Sequence, residues 1–288
     1  VAMPAMASVQ NVKVSGSIDS TWLIRNDFDL GANVIADEKQ NLFLTQTMLM
    51  VDADLTDNVS TSLCLINERA WDQKDTGENS DIGIHLAYVT LREMLYSPLT
   101  VVVGRQAFSY GNSFIVDAGG TNNSAPTDSG IVSIAGDLTK QTALDAIRFI
   151  FDYEPLSIEL LVAKIDSNTN TLATAEDDDT DLYGVNAGYE VGDSMNTQVE
   201  AYFFAKIDKD LDGNSGNTSS KADTVYVPGL RASTNPIEGL NVQAELAWQR
   251  GNKVVSSTDI NENQQREAMG AQVIASYQVP VLEEYKPI

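Results

Sequence analysis

Residues 11–277 contain about a dozen strand-length segments in which apolar and polar residues alternate with a period of two. The clearest one has apolar Leu240, Val242, Ala244, Leu246 and Trp248 on one parity and polar Asn241, Gln243, Glu245 and Gln249 on the other. The same pattern recurs in residues 147–153, 183–190, 197–206 and 271–277. Such strands suit a sheet with one face toward lipid and the other toward water. A soluble β-sandwich with a dry inner face would show the same period, so alternation alone leaves both folds open.

The connections between these segments alternate between short and long. Short connections with turn residues lie at 56–58, 97–98, 154–155, 191–194 and 235–239. Long connections lie at 27–40, 71–81, 111–142, 166–180, 208–223 and 251–264. This alternation is typical of an up-and-down barrel whose two rims face different compartments, and a Greek-key sandwich has no reason to keep it. The sequence therefore predicts an all-β fold, namely an antiparallel up-and-down transmembrane β-barrel with about twelve strands visible.

Both ends of the chain carry signals about its organisation. Residues 1–7, VAMPAMA, are typical of the end of a secretory signal with an Ala-x-Ala cleavage site, which places the mature start at Ser8; a flexible apolar tail is the alternative. Residues 283–288, EEYKPI, resemble a periplasmic turn that leads into another strand. We therefore expect residues 8–288 to be one barrel domain that lacks its C-terminal strands. The whole barrel would have on the order of 16 to 18 strands in the outer membrane of a Gram-negative-type bacterium.

Composition narrows the function classes. No apolar run is long enough for a transmembrane helix, so insertion into a membrane would use strands. The net charge of -23 argues against a nucleic-acid partner. Cys64 is the only cysteine, which excludes an intrachain disulfide and favours a small residue packed within a strand. Many acidic residues lie in the long connections, where they form either a solvated rim or a surface that gathers cations or calcium-bridged polysaccharide.

One acidic connection resembles half of a calcium-binding loop. Asp208, Asp210 and Asp212 alternate along the chain and Gly213 follows, as in the first half of an EF-hand loop. The glutamate that would complete such a loop is replaced by Ser219. A Ca²⁺ site at the three aspartates is one interpretation, and an acidic surface turn without an ion is the other. No other cofactor is indicated.

Charged residues on the water-facing parity would line the pore. Arg148 and Arg231 each lie on the parity opposite to apolar neighbours, so we expect both guanidinium groups to point inward. Arg105 follows Gly104, where a bulge would shift the parity. Arginines facing acids either select polar solutes through a transverse field or pair with one another inside a wide lumen. The candidate solute-binding residues are Arg105, Gln106, Arg148, Asp152, Glu200, Tyr202, Arg231, Gln243 and Glu245.

The connection at 111–142 is the longest and mixes flexible residues with apolar ones. Its apolar residues include Phe114, Ile115, Val116, Ile131, Val132 and Ile134. These side chains need cover, which a loop projecting into water would not supply. We therefore predict that this connection folds into the barrel mouth and narrows the pore, and a disordered outer loop is the alternative.

Several short motifs resemble the alginate-export and related porins. AYV at 87–89, Leu99, GRQ at 104–106 and YG at 110–111 match the pattern of the fourth and fifth strands of that family. NER at 67–69 with Trp71 resembles the end of the preceding strand, and GLR at 229–231 followed by 240–248 resembles later ones. The resemblance implies a monomeric outer-membrane barrel of many strands, with an arginine-studded lumen that passes a polar or anionic solute.

These patterns predict an outer-membrane porin through which small polar solutes, ions or oligosaccharides diffuse or are exported. The alternative is a non-conducting scaffold or a surface adhesin that acts through its acidic outer loops. An enzyme is not expected, because His85 is the only histidine and no serine motif accompanies it as a Ser-His phospholipase would require. The expected partners are outer-membrane lipid, including lipopolysaccharide, and the solutes themselves; both a monomer and a homo-oligomer fit the sequence.

Overall fold

Twelve antiparallel strands make up the regular structure of this computed structural model. It describes residues 11–26, 39–71, 82–117, 138–166, 179–209, 222–254 and 263–278. The strands form one sheet in the order β1 to β12, each beside its sequence neighbours. They are β1 (Asn11–Asn26), β2 (Lys39–Thr56), β3 (Val59–Ala70), β4 (Gly83–Leu91), β5 (Leu99–Gln106), β6 (Leu144–Asp152), β7 (Leu156–Asp166), β8 (Thr180–Glu190), β9 (Gln198–Asp208), β10 (Asp223–Ile237), β11 (Leu240–Val254) and β12 (Asn263–Tyr277). The predicted all-β, up-and-down fold is thereby confirmed. Within the described ranges no helix is long and apolar enough to cross a membrane.

The short connections differ in detail from the predicted ones. β10 continues to Ile237 through a register shift, so only residues 238–239 join it to β11. The connection between β8 and β9 is longer than expected and spans residues 191–197. There the carboxylate of Asp193 accepts hydrogen bonds from the backbone amide and the hydroxyl of Thr197, at 2.8 and 2.7 Å. These bonds lower the pKa of Asp193 and close the turn. The connection between β4 and β5, residues 92–98, is also longer than predicted and uses positive φ at Glu93 and Leu95.

The described chain divides into two compact units. The N-terminal unit holds the described residues up to Thr90, together with 104–107 and 138–143. The C-terminal unit holds 91–103, 108–117 and the described residues from Leu144 onward.

In the C-terminal unit the sheet has an open face and a covered face. The open face carries the predicted apolar parity, and its large side chains are solvent-accessible: Ile147, Leu160, Val162, Tyr183, Val185, Val199, Phe203 and Leu230. The covered face carries the other parity and includes the buried core, with Leu161, Ala163, Leu182, Tyr202, Phe204 and Ala247. The usual arrangement of a soluble sheet, with its apolar parity buried, is therefore inverted here.

The N-terminal unit is built in the same way. Its open face carries Val12, Val14, Ile18, Trp22, Leu49 and Leu63, all exposed. Its covered face carries Leu44, Gln46, Cys64, Ile66 and Glu68, all buried. Cys64 is accordingly a packed strand residue, as the sequence predicted.

Candidate functional site

Residues 108–117, between β5 and β6, pack on the covered face of the C-terminal unit. Phe108 and Tyr110 are buried in the same cluster as Tyr202 and Phe204. Phe114, Ile115 and Val116 pack against that cluster. A Cβ added at Gly270 of β12 would come within 2.8 Å of the Phe114 ring, so glycine makes room for this ring. The first apolar residues of the long connection are therefore covered by the sheet, whereas Ile131, Val132 and Ile134 lie outside the described residues.

Two carboxylates on the covered face hold the backbone at Gly111 and Asn112. The amide of Gly111 donates to Glu200 Oε1 at 3.0 Å, and the amide of Asn112 donates to Glu245 Oε2 at 2.6 Å. The Tyr202 hydroxyl donates to the other oxygen of Glu245 at 2.7 Å. Glu245 is only 2% exposed, so these bonds compensate a charge that is almost completely withdrawn from water.

Arg231 is bound on three sides in the same region. Its Nε donates to Asn112 Oδ1, its Nη2 donates to Gln243 Oε1 at 3.0 Å, and its Nη1 lies 3.4 Å from Glu200 Oε2. The cross-strand register explains the grouping, because Arg231 pairs with Glu200 on β9 and with Glu245 on β11. The guanidinium thus lies on the covered face and is engaged by protein groups.

A second arginine cluster lies nearby, on β6 and β7. Nη2 of Arg148 donates to Glu159 Oε2 at 2.9 Å, and its Nε donates to Oε1, which gives a two-point contact. The guanidinium also lies 5.6 Å from the centre of the Phe108 ring. The Tyr110 hydroxyl donates to the same Glu159 carboxylate. Burial, and then the negative charge of Glu159, raise the pKa of Tyr110, so its hydroxyl stays protonated.

In the N-terminal unit, Glu68 holds the last described part of the long connection. Its carboxylate accepts the Thr139 hydroxyl at 2.6 Å and the Lys140 amide at 2.7 Å. The amide group of Gln46 donates to it at 2.6 Å and also to the carbonyl of Leu138 at 2.8 Å. The carboxylate of Glu68 is therefore the centre of the contact between residues 138–141 and the covered face of this unit.

A concavity of about 630 Å³ opens on the covered face of the C-terminal unit, at the ends of the strands that bear the short connections. Its charged lining residues are Asp152, Glu154, Glu190, Glu200 and Arg231. Ser157, Asn186 and Gln198 add neutral polar groups. Four carboxylates face one guanidinium, so the concavity is acidic.

The predicted site residues fall into separate groups. Arg148, Glu200, Tyr202, Arg231, Gln243 and Glu245 lie on the covered face of the C-terminal unit, and Asp152 lines the concavity. Gln106 belongs to the N-terminal unit and is 2% exposed, while its amide donates to the carbonyl of Gly104 at 3.2 Å. Gly104 has a φ of 121°, and a Cβ there would lie 2.3 Å from the Ala87 carbonyl oxygen, so this position requires glycine; the bulge beside Arg105 stays a prediction. A role in solute binding stays a prediction for all of these residues.

The calcium hypothesis falls mostly outside the described chain. Asp210 and Asp212 are not among the described residues. Asp208 ends β9 and accepts a hydrogen bond from the Thr180 hydroxyl at 3.1 Å. Among the described residues no group of three His, Cys, Asp or Glu side chains is placed to hold a metal ion. Calcium binding at the three aspartates stays a prediction.

Sequence reasoning missed the residues that hold the long connection. It placed acids and arginines on the inner parity but did not predict that Tyr110 and Asn112 would be their partners, or that Glu68 would hold residues 138–141. One signal was available. The backbone amides of a long connection that folds inward need acceptors, and carboxylates on the inner parity can supply them.

No protein-family model matches this chain, and no curated protein matches it. Among solved structures, it is similar to Salmonella typhi OmpF in complex with daunomycin, with 10% identity and a TM-score of 0.43 over 94% of this chain and 86% of that one. It is also similar to a mutant of Rh. blastica porin, with 12% identity and a TM-score of 0.34 over 92% and 100%. The anion-selective porin from Comamonas acidovorans gives 12% identity and a TM-score of 0.29 over 93% and 96%. Likeness at this level carries no conclusion about function, and the resemblance to alginate-export porins stays a prediction.

Proposed function

We propose that this protein spans the outer membrane of a Gram-negative-type bacterium as a β-barrel channel for small polar solutes. The observation that carries the proposal is the inversion of the two sheet faces. Large apolar side chains such as Val185, Phe203 and Leu230 are 44, 45 and 52% exposed, whereas Glu245 on the opposite face is 2% exposed. Such an apolar surface is unfavourable in water and favourable against lipid.

The height of the apolar surface fits a bilayer. On β11, apolar residues occupy every second position from Leu240 to Trp248, eight residues further on. At about 3.3 Å per residue and a strand tilt of about 40°, this stretch is about 20 Å tall. Outer-membrane barrels carry an apolar band about 25 Å tall. A strand of this length therefore fits across the hydrocarbon layer.

Aromatic residues mark one border of this band. Tyr153, Tyr189 and Tyr277 are each about half exposed. Tyr153 and Tyr189 lie next to short connections along the chain, and Tyr277 pairs with Leu240, which follows the short connection 238–239. Tyrosines with an apolar ring and a polar hydroxyl are typical of the membrane–water interface. Short connections belong to the periplasmic side in such barrels. These tyrosines therefore support a periplasmic location for residues 153–155 and 191–197.

The long connection at 111–142 would narrow the channel. What supports this is that both of its described ends lie on covered faces. The first is held by Glu200 and Glu245, and the last by Glu68. Because the open faces would contact lipid, the covered faces would line the lumen. The acidic concavity near Asp152 and Glu190 would then favour cations over anions on their way through the lumen.

Planar-bilayer recording of the full chain tests the proposal. We expect stepwise conductance together with a shift in gel migration between unheated and heated samples. A Phe203→Asp variant is the matched control for contaminating channels, because a charge on the open face should lower the amount of inserted protein, and with it the number of conductance steps. A heat-shifted, membrane-inserted protein without conductance would overturn the channel and favour the scaffold or adhesin. A protein that stays soluble without detergent would overturn the membrane assignment.

A further inference from the structure

A polar row crosses the open face of the N-terminal unit just below a group of aromatic rings. The register places Ser20 beside Thr45, and Thr45 beside Arg69, on three adjacent strands. The next row toward the long connections carries Trp22 and Phe43. Phe43 stacks between Trp22 and Trp71, with ring centres 5.7 and 4.8 Å away. Rings of this kind at a strand end are typical of the membrane interface.

Arg69 is the charged member of this row, and its environment is unusual. Among the side chains described on the open face of β1, β2 and β3, it is the one that carries a charge. The residue is exposed, and its side chain has neither a hydrogen-bond nor an ion-pair partner within the described part of the chain. The open face of the C-terminal unit also carries an arginine, Arg250, but there Glu267 pairs with it across the strands. An unpaired guanidinium at the edge of an apolar band is costly unless it reaches an anion.

The hydroxyl groups beside Arg69 add hydrogen-bond donors. Trp71 Nε1 donates to the Thr45 hydroxyl at 2.7 Å, and that hydroxyl lies 3.0 Å from Ser20 Oγ. When Thr45 donates to Ser20, the Ser20 proton is left available for a further acceptor. The row then offers a hydroxyl donor on β1 and a cation on β3, each about one strand spacing from Thr45 on β2. Phosphate oxygens suit this combination, because they accept several bonds at once from guanidinium and hydroxyl groups.

We propose that Arg69 and Ser20, whose hydroxyl is oriented by Thr45, bind the phosphate of a lipid headgroup in the outer leaflet. The inference rests on the proposed membrane function, which places the long-connection end of β1–β3 on the outer side. The row of Ser20, Thr45 and Arg69 lies about 5 Å deeper in the membrane than the aromatic rings. An arginine side chain spans that depth and brings its guanidinium to the headgroups while its methylene groups stay in the apolar layer. A phosphate-bearing lipid is thus the occupant that matches both the charge and the depth of this row.

Lipid binding to the detergent-purified protein tests this. The probes are lipid A with its phosphates, lipid A from which they have been removed, and inorganic phosphate at equal concentration. We expect wild type to retain phosphorylated lipid A in native mass spectra and to prefer it to both other probes. Arg69→Gln should weaken that binding roughly tenfold or more, since a charge-assisted contact is lost. Arg250→Gln, which removes an arginine paired with Glu267, should leave it unchanged.

Further outcomes separate the proposals. Thr45→Val keeps the side-chain size and should weaken lipid binding less than Arg69→Gln. If Arg69→Gln folds poorly, the binding loss in Thr45→Val still tests the site. Equal binding of phosphorylated and dephosphorylated lipid A, or tight binding of inorganic phosphate alone, would overturn the lipid site. The lipid site would also be overturned if wild type forms an oligomer that dissociates in Arg69→Gln without any loss of lipid. The row would then contact a second copy of the chain. If all variants show normal conductance and unchanged lipid binding, the lipid site is overturned, whereas the proposed channel function is not.

Discussion

The backbone amide of Asn112 donates a 2.6 Å hydrogen bond to the carboxylate of Glu245, which lies 133 positions further along the chain. Few local signals predict such a contact, because one partner belongs to a long connection and the other to a strand near the C-terminal end. The contact nevertheless fixes where the long connection begins its path over the covered face. Its disruption should therefore change the path of this connection more than the strands.

Gly111 offers a direct test of this contact. Its φ is 61°, and a Cβ there would lie 2.6 Å from Glu245 Oε1. Gly111→Ala should lower the free energy of unfolding by about 1–2 kcal/mol because of the backbone conformation. It should lower it by roughly 1–3 kcal/mol more because hydrogen bonds to a buried carboxylate are displaced. Gly192→Ala is the matched control, because Gly192 has a φ of 74° and nothing within 4 Å of the added Cβ. Urea unfolding in lipid vesicles should show the larger loss for Gly111→Ala, which should also alter single-channel conductance. Equal losses in the two variants, with unchanged conductance, would contradict the role of this contact.

Glu68 should protect the other described end of the long connection from proteolysis. Glu68→Ala removes the acceptor for Thr139 and for the Lys140 amide, so residues 138–141 should detach from the sheet. Trypsin should then cleave after Lys140 in the folded protein several times faster than in wild type. Glu190→Ala, which removes an exposed carboxylate at the end of β8, is the control and should cleave at the wild-type rate. Identical digestion of all three proteins would show that Glu68 does not hold this segment.

The strands were predictable because each one repeats a two-residue pattern that its neighbours share. The alternation of apolar and polar residues from Leu240 to Trp248 identifies the open face of β11 without reference to β10 or β12. The longer connection before β9 was not predictable in length, because the Asp193–Thr197 bonds that close it are one choice among many polar turns. The direction of Arg231 followed from parity, since β-strand side chains alternate. The contact of Arg231 with Asn112 could not be predicted in this way, because the path of a long connection depends on contacts with distant strands.

The open face should tolerate charge poorly. Val185 and Phe203 are direct cross-strand neighbours in the middle of β8 and β9. Replacing either by Arg should destabilise the inserted protein by about 2–4 kcal/mol, as expected for a cation near the bilayer midplane. Gln198→Arg, on the covered face at the concavity, should lower the free energy of unfolding much less. The measurement is urea unfolding in lipid vesicles followed by tryptophan fluorescence. If Val185→Arg and Gln198→Arg cost the same, the open face does not contact hydrocarbon.

The acidic concavity should give the proposed channel a salt-dependent preference for cations. Asp152, Glu154, Glu190 and Glu200 surround one arginine there, so cations accumulate when charges are weakly screened. The screening length is about 30 Å at 0.01 M salt and about 3 Å at 1 M. Reversal potentials across a salt gradient should therefore show cation preference at low salt that weakens at high salt. The double variant Asp152→Asn and Glu190→Gln should lose much of this preference at low salt and differ little from wild type at 1 M. Glu238→Gln removes an exposed acid on another short connection, outside the concavity, and should leave the potential unchanged. If Glu238→Gln lowers the preference as much as the double variant, the selectivity comes from the overall charge of the protein and not from the concavity.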